Sequence, residues 1–264
     1  MTHKFNGTAI VTGASSGIGA AYAGRLARRG HDLVLVARNA ARLDVLADNI
    51  RAETGRTVET LPADLTDPAA VARVAARIEG DAAVTLLVNN AGAGLMQGLA
   101  AASDAEIAGL IALNVTAPTQ LAAAAVRAFT ARGRGTIVNL ASVVALAPTQ
   151  FEGLYSATKA HVLALSESLS AHLAGTGVQV QAVLPGLTRT EFLEGSALSF
   201  DQFPPEMVME VGDLVDAALL GLERGEAVTI PPLHDISGWE ALVAARAAMA
   251  PGLSSREPAL RYRA

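Results

Sequence analysis

The amino-acid sequence predicts an α/β protein in which a doubly wound, predominantly parallel seven-stranded sheet has helices on both faces. One observation is that short runs rich in valine, leucine and threonine alternate with longer alanine-rich stretches. A second is that several short runs, LVLVA among them, are continuously apolar, as expected of strands covered on both faces. Parallel strands joined through helices need right-handed crossovers, which produce the doubly wound arrangement.

The individual elements follow from these patterns. Strands are predicted at residues 8–12, 33–37, 57–61, 85–89, 136–140, 178–184 and 227–230. Helices are predicted at residues 18–29, 40–54, 68–79, 104–130 and 153–173. A long irregular loop is predicted at about 187–211, and a loop of that length in a compact domain is usually functional. Because no linker or repeat divides the chain, residues 1–264 are predicted to form one domain, with a C-terminal extension at about 231–264.

Composition narrows the class of protein. The chain of 264 residues has no cysteine, which excludes disulfides and thiolate metal sites. Its net charge of −5 disfavours a nucleic-acid partner, and its five histidines show no metal-ligand spacing. Two uncharged stretches, 82–103 and 107–126, contain Asn, Gln, Gly or Pro, so burial within a protein or subunit contact is expected rather than a membrane span. The first residues lack the features of a signal peptide, and a cytoplasmic location is predicted.

The first predicted strand leads directly into a glycine-rich turn, TGASSGIG at residues 12–19. Gly13, Gly17 and Gly19 lack Cβ atoms, so the backbone can approach a ligand closely. The helix that follows points its free N–H groups and positive dipole end at the same place, which suits a pyrophosphate. A tight bend without a ligand is the alternative, but the position after the first strand of an α/β chain favours a nucleotide site.

The end of the second strand indicates which nucleotide is bound. NAD sites generally place an acidic residue here to bind the adenosine ribose, whereas this chain has Arg38. Because arginine forms charge-assisted hydrogen bonds to phosphate, NADP(H) is predicted, with NAD(H) as the alternative if Arg38 is only a solvated surface charge. Asp64 is expected near the adenine, or as a cap of the helix that starts at Pro68, although Asp67 is better placed for capping.

Tyr155 and Lys159 are four residues apart in YSATK, which places them on one face of a helix. A phenol beside an ammonium can transfer a proton, because a positive charge favours the phenolate. By themselves the two residues are also compatible with an exposed surface pair. Ser142 follows the fifth strand and is expected at the carboxyl edge of the sheet, where open α/β sheets bind ligands, although it is equally compatible with a cap.

With these motifs in order, the chain resembles the short-chain dehydrogenases/reductases, in their compact single-domain branch with a Rossmann-type sheet. The resemblance covers about residues 6–190. The motifs that support it are TGASSGIG at 12–19, NNAG at 89–92, Asn114, Ser142, YSATK at 155–159 and PGLTRT at 185–190. Each motif is weak alone, whereas all six in this order are specific.

The resemblance implies a hydride transfer between a nicotinamide and a carbonyl or alcohol, with catalytic residues Asn114, Ser142, Tyr155 and Lys159. Tyr155 is expected to be the general acid/base and Ser142 to orient the carbonyl, while Lys159 holds the nicotinamide ribose. Pro118 cannot bond the carbonyl of Asn114, so that carbonyl is expected to hold a water that relays protons. The predicted cofactor-binding residues are Gly13, Ser15, Ser16, Gly17, Ile18, Gly19, Arg38, Asp64, Leu65, Asn90, Ala91, Gly92, Tyr155, Lys159, Pro185, Gly186 and Thr190.

Residues outside the shared motifs are expected to determine the substrate. The predicted substrate-binding residues are Leu95, Val144, Phe151 and Phe192, together with the loop 187–211. All four are apolar, so a hydrophobic ketone or aldehyde is predicted. The alternatives are an NAD(H)-dependent alcohol dehydrogenase, an epimerase or dehydratase on the same scaffold, and a non-enzymatic dinucleotide-binding regulatory protein. The uncharged helix at 107–126 predicts a homodimer or homotetramer.

Overall fold

The computed structural model describes residues 7–94, 98–149, 153–193 and 199–263 of the chain. These residues belong to two compact units, Met1–Pro231 and Pro232–Ala264. The first unit contains the sheet and all the motifs identified in the sequence. The second unit contains one α-helix, Ser237–Met249, in which no residue is buried.

The first unit is built on a seven-stranded sheet in which every pair of neighbouring strands is parallel. Its strands are β1 (Thr8–Thr12), β2 (Asp32–Ala37), β3 (Val58–Pro62), β4 (Val84–Asn89), β5 (Gly135–Leu140), β6 (Val178–Val183) and β9 (Val228–Thr229). Their spatial order is β3-β2-β1-β4-β5-β6-β9, so the predicted doubly wound parallel sheet is confirmed. The winding direction reverses between β1 and β4, and ligands of such sheets bind at the carboxyl end of this junction.

The helices cover both faces of the sheet. They are α1 (Gly17–Arg28), α2 (Ala40–Thr54), α3 (Pro68–Gly80), α4 (Asp104–Ile111), α5 (Ala117–Arg132), α6 (Leu154–His172) and α7 (Val211–Glu223). Capping side chains determine where some of these helices begin. Asn39 caps α2, and Asp67 caps α3, which has Pro68 at its first position. Helix α7 was not among the predicted helices.

The seven-stranded sheet separates two apolar cores, and successive side chains along a strand contribute to one core and then the other. On one face, Val11 and Leu35 pack with Tyr22 of α1, Leu43 of α2 and Leu219 of α7. On the other face, strand residues that include Ile10 and Val34 pack with α3 and α5, through residues such as Val74 and Phe129. Because side chains alternate along a strand, this two-faced burial requires the continuously apolar strands seen in the sequence.

The predicted helix at 104–130 is one continuous helical segment, but it is not an α-helix throughout. Between α4 and α5 lies a π-helical turn, Ala112–Thr116, in which the N–H of Ala117 bonds the carbonyl of Ala112. In a regular α-helix the N–H of residue 118 would bond the carbonyl of Asn114, but Pro118 has no N–H. The wider π turn therefore forms where the α-helical hydrogen-bond pattern is already interrupted. The whole segment Asp104–Arg132 is long and apolar enough to cross a membrane, a criterion that core helices also meet.

The predicted irregular loop at 187–211 contains more structure than expected. Two-residue strands β7 (Thr188–Arg189) and β8 (Met209–Glu210) pair in parallel at its base. Short 3₁₀ turns lie between them at Glu191–Leu193, Phe200–Gln202 and Pro205–Met207. The loop therefore begins and ends at one point of the fold, where the side chain of Arg189 also bonds Glu210 at 2.8 Å.

Candidate active site

The glycine-rich turn adopts a conformation that only glycine tolerates well. Gly13 and Gly17 have φ values of +65° and +51°. A Cβ on Gly13 would lie 2.7 Å from the Asn90 amide nitrogen, and a Cβ on Gly19 would lie 2.2 Å from the carbonyl oxygen of Gly13. Helix α1 starts at Gly17 with no acidic residue in its first turn and no side-chain cap from Ser16. Its first N–H groups are therefore not occupied by a side-chain cap and face the turn.

Asn90 and Thr12 join the ends of β1 and β4 below this turn. The Thr12 hydroxyl donates to the carbonyl of Val88 at 3.2 Å and accepts the N–H groups of Asn90 and Ala91 at 3.0 and 3.1 Å. The Asn90 side chain donates to the carbonyls of Thr12 and Gly13 at 2.9 and 3.2 Å. Both side chains therefore fix the shape of the cleft floor from within the protein.

Arg38 and Asp64 lie together at the outer end of the cleft, beyond β2 and β3. Arg38 is exposed. Asp64 accepts the N–H and the hydroxyl of Thr66 at 2.9 and 2.8 Å, and these two bonds lower the pKa of its carboxyl group, with a smaller contribution from the charge of Arg38. Asp67 rather than Asp64 caps α3, as expected. The side chain of Leu65 is buried in the core, so only its backbone can face a ligand.

Ser142 lies just past β5 and is buried. Its hydroxyl accepts the N–H of Val144 at 3.3 Å, so it caps the 3₁₀ turn Val143–Ala145, and it lies 3.4 Å from the carbonyl oxygen of Pro185. It also hydrogen-bonds the phenol of Tyr155. The cap considered from the sequence is present, and the expected role of Ser142 in orienting a substrate carbonyl remains a prediction.

Tyr155 and Lys159 lie one turn apart at the start of α6. The Lys159 Nζ is 5.8 Å from the centre of the Tyr155 ring and donates to the carbonyl of Leu140 at 2.8 Å. Burial lowers the pKa of Lys159 to about 8. Burial also raises the pKa of Tyr155 to about 12, against the smaller opposite effect of the Ser142 hydrogen bond. Desolvation therefore dominates the pKa of the phenol, and the expectation that the positive charge of Lys159 favours the phenolate remains a prediction.

Asn114, in the π turn, is tied to both sides of the site. Its side-chain oxygen accepts the N–H of Ala93 at 3.0 Å, and its nitrogen donates to the carbonyl of Ala93 at 2.8 Å and to the hydroxyl of Thr158 at 3.2 Å. Thr158 in turn donates to the carbonyl of Tyr155 at 2.8 Å. Sequence reasoning missed Thr158, although it lies within YSATK.

Gly92 lies beside Asn114 and Lys159. A Cβ at this position would lie 3.3 Å from the Asn114 oxygen and 3.4 Å from the Lys159 nitrogen. A larger residue at 92 would therefore crowd both groups, which makes glycine the residue that leaves this corner of the cleft open.

The segment PGLTRT leads from β6 across the cleft. The carbonyl of Pro185 accepts the N–H of Val143, which joins the segment to the turn after Ser142. The hydroxyl of Thr188 donates to the carbonyl of Gly186 at 3.0 Å. Thr190 lies against the glycine-rich turn, since a Cβ on Gly17 would lie 3.3 Å from its side chain.

Of the predicted substrate residues, Phe192 and Val144 are described. The ring of Phe192 lies 5.7 Å from that of Tyr155 with a tilt of 43°, and 44% of its surface is exposed. Val144 is half-buried in the turn after Ser142. Leu95 and Phe151 lie outside the described residues. The structure therefore brings one predicted substrate residue against the predicted acid/base.

The described residues fit a dinucleotide. The glycine turn brings the backbone close to Asn90 and Ala91 without any Cβ in the way, α1 starts beside it without a side-chain cap, and Arg38 supplies a cation at the far end. Among the described residues, no group of three or more His, Cys, Asp or Glu side chains is arranged to hold a metal ion. The fold and the site together define a dinucleotide-binding α/β protein with a Ser, Tyr and Lys cluster at the opposite end.

Comparison with known proteins specifies the family. The family profile described as short chain dehydrogenase matches residues 7–198. A solved short-chain dehydrogenase from Sphingobium yanoikuyae in complex with NADPH is 50% identical, with a TM-score of 0.93 and coverage of 97% of this chain and 100% of that chain.

Two further relatives agree. The bulky-bulky ketone specific alcohol dehydrogenase from Comamonas testosteroni is 45% identical, with a TM-score of 0.90 and coverage of 98% and 99% of the two chains. Galactitol 2-dehydrogenase (L-tagatose-forming) from Cereibacter sphaeroides is 38% identical over 69% of this chain and 72% of its own. The chain belongs to the short-chain dehydrogenase/reductase family and is an oxidoreductase.

Proposed function

We propose that the protein is an NADP(H)-dependent carbonyl reductase or secondary-alcohol dehydrogenase that acts on apolar substrates, with Tyr155 as the general acid/base. The observation that supports this proposal most directly is the arrangement of Ser142, Tyr155 and Lys159. Ser142 hydrogen-bonds the phenol, and the Lys159 ammonium lies one helical turn away. A non-enzymatic regulatory protein would not need this arrangement.

Each residue has a distinct part in the proposed reaction. When bound, the nicotinamide cofactor supplies the hydride for reduction and accepts it for oxidation. Tyr155 donates its proton to the substrate oxygen as negative charge develops there, and Ser142 hydrogen-bonds the same oxygen. Lys159 then returns a proton to Tyr155 and is itself reprotonated from solvent through a water that the main-chain carbonyl of Asn114 holds, since Pro118 has no N–H for that carbonyl.

The pKa of Tyr155 favours the reductive direction. With a pKa of about 12, the phenol is protonated at neutral pH and ready to donate. Oxidation needs the phenolate, which burial of this group disfavours. The positive charge of an oxidised nicotinamide would counteract this effect. We infer that carbonyl reduction is the easier direction near neutral pH.

Arg38 supports the preference for NADP(H). It is exposed next to Asp64 at the outer end of the cleft, and a relative that is 50% identical was solved with NADPH. Replacing Arg38 by Ala is expected to raise the KM for NADPH at least tenfold and to change that for NADH little. Equal losses with both cofactors would contradict the assignment.

The substrate proposal is supported by Phe192 over Tyr155 and by the bulky ketones named for one 45% identical relative. The test compares aliphatic, aryl and bulky diaryl ketones with sugars and polyols. Reduction of ketones and sugars is followed by the loss of NADPH absorbance, and oxidation of polyols by its gain. Higher kcat/KM for the apolar ketones is expected. A preference for polyols or sugars would contradict the apolar assignment while leaving the reaction class intact.

The proposal also includes the cellular location and the oligomeric state of the protein. We propose a cytoplasmic homodimer or homotetramer that forms through the apolar helical segment Asp104–Arg132, of which only 33% of the most apolar window is buried. Size-exclusion chromatography with light scattering tests the oligomeric state, and a monomer at micromolar concentration would contradict it.

A further inference from the structure

Three consecutive side chains of the segment after β7 contact three separate parts of the cofactor cleft. Thr190 lies against Gly17 in the pyrophosphate turn. Glu191 pairs with Arg42 of α2, with 2.5 Å between its Oε2 and the arginine Nη1. Phe192 lies against the ring of Tyr155. The segment therefore extends from the adenosine end of the cleft to the catalytic end.

Arg42 is placed where a cation needs a partner. It is the third residue of α2. The helix is capped by Asn39, which directly follows Arg38. The first turn of this helix contains no acidic residue, so Arg42 and Arg38 both lie near the positive end of the helix dipole. Glu191, 149 residues away in sequence, supplies a carboxylate beside the first turn of the helix, which has none of its own.

We propose that Arg42 and Glu191 form a clasp that closes the outer side of the dinucleotide cleft and holds Phe192 over Tyr155. This inference rests on the proposed cofactor site. Because Thr190 lies against the glycine turn and Phe192 against Tyr155, a dinucleotide bound between these two points would be covered by residues 190–192 and would need this segment to move before release. Arg42 and Glu191 are thus positioning residues: their pairing slows release of the cofactor and fixes one wall of the substrate site.

The direction of the change in the cofactor release rate distinguishes the clasp from repulsion between Glu191 and the anionic cofactor. Glu191 is a carboxylate beside a site for an anionic cofactor, so its repulsion alone would speed release, and neutralising it would slow release. The clasp requires the opposite, because breaking the ion pair frees the segment. Since both side chains are about half exposed, the expected acceleration is modest, about two- to fivefold.

The test measures NADPH dissociation directly, by stopped-flow fluorescence after displacement with excess NADP⁺. Glu191→Gln and Arg42→Gln are each expected to speed release about two- to fivefold, and the double variant no more than the faster single one. The exchanged pair, Arg42→Glu with Glu191→Arg, is expected to regain part of the wild-type rate. A matched control is Glu53→Gln, which breaks the similarly exposed Arg28–Glu53 pair between α1 and α2 and is expected to leave release unchanged.

A second readout concerns the substrate. Both single variants are expected to raise the KM for an apolar ketone more than they change kcat, with a melting temperature equal to that of Glu53→Gln. Slower or unchanged release in Glu191→Gln, or strictly additive effects in the double variant, would overturn the clasp. Failure of the wild-type protein to bind NADPH at all would overturn the proposed function as well, which distinguishes the two failures.

Discussion

Thr158 offers a sharp test of how the site is held together. Thr158 is 2% exposed, and its side chain joins Asn114, which contributes the proposed relay carbonyl, to the carbonyl of Tyr155 in the first turn of α6. In Thr158→Val a methyl group replaces the hydroxyl at nearly constant volume. The Asn114 amide then loses one of its two acceptors in a buried place, and only the carbonyl of Ala93 remains.

The size of the effect follows from this geometry. A buried donor without a partner costs about 1–3 kcal/mol. For a chain of this size, a loss of that order lowers the melting temperature by roughly 2–10 °C. The freed amide also lets the π turn shift, so the relay between Lys159 and the Asn114 carbonyl is expected to weaken and the rate of ketone reduction to fall above neutral pH, where proton resupply is hardest.

The assay combines thermal unfolding with the pH profile of kcat for ketone reduction by NADPH. Thr158→Ser is the matched control, since it keeps the hydroxyl and loses only a methyl group. Its pH profile is expected to follow that of the wild type. If Thr158→Val and Thr158→Ser have the same melting temperature and the same pH profile, the link between Asn114 and α6 has no role in the site.

Three further predictions concern the core and are checked by urea unfolding. The buried hydroxyl of Tyr22 has no partner among the described residues, so Tyr22→Phe is expected to leave stability unchanged or raise it by up to about 1 kcal/mol; a large loss would contradict this. Asn139 bonds Asn89 and Ser166 at 2.9 Å each, so Asn139→Leu is expected to cost about 2 kcal/mol or more, and a neutral result would refute the bond network. Burial lowers the pKa of His31, so stability is expected to be full above about pH 6.5 and to fall as the pH drops below it, and His31→Gln should reduce this slope.

Much of the fold could be predicted because its determinants are local. Short runs rich in valine, leucine and threonine, several of them continuously apolar, identified all seven strands of the main sheet within a residue or two, and the bounds of β1 and α2 were predicted without error. Helix α7 was omitted although its buried Leu214, Val215 and Ala218 repeat at helical spacing, so that omission was a failure of reasoning rather than of information. Pro118 indicated an interruption of the long helix but not that it takes the form of a π turn, and the two-residue ladder of β7 and β8 depends on contacts that no local pattern records.

In the candidate active site, too, residues with a local sequence pattern could be predicted, whereas properties that depend on distant contacts could not. Tyr155, Lys159 and Ser142 were identified because their spacing and order along the chain reflect the chemistry. The rise of the Tyr155 pKa through burial could not be predicted, since the degree of burial depends on the whole fold. The pairing of Arg42 with Glu191 joins residues 149 apart and is visible only in three dimensions.

The most direct test of the central claim is the substitution Tyr155→Phe, with NADPH binding and ketone reduction measured on the same sample. Loss of the phenol hydroxyl is expected to lower kcat by about 10²–10⁴-fold, while the Kd for NADPH stays within about twofold of the wild type. Tyr22→Phe, which changes a tyrosine in the core on α1, is the control and is expected to keep full activity. A Tyr155→Phe protein that binds NADPH and still reduces ketones at the wild-type rate would contradict the assignment of Tyr155 as the proton donor.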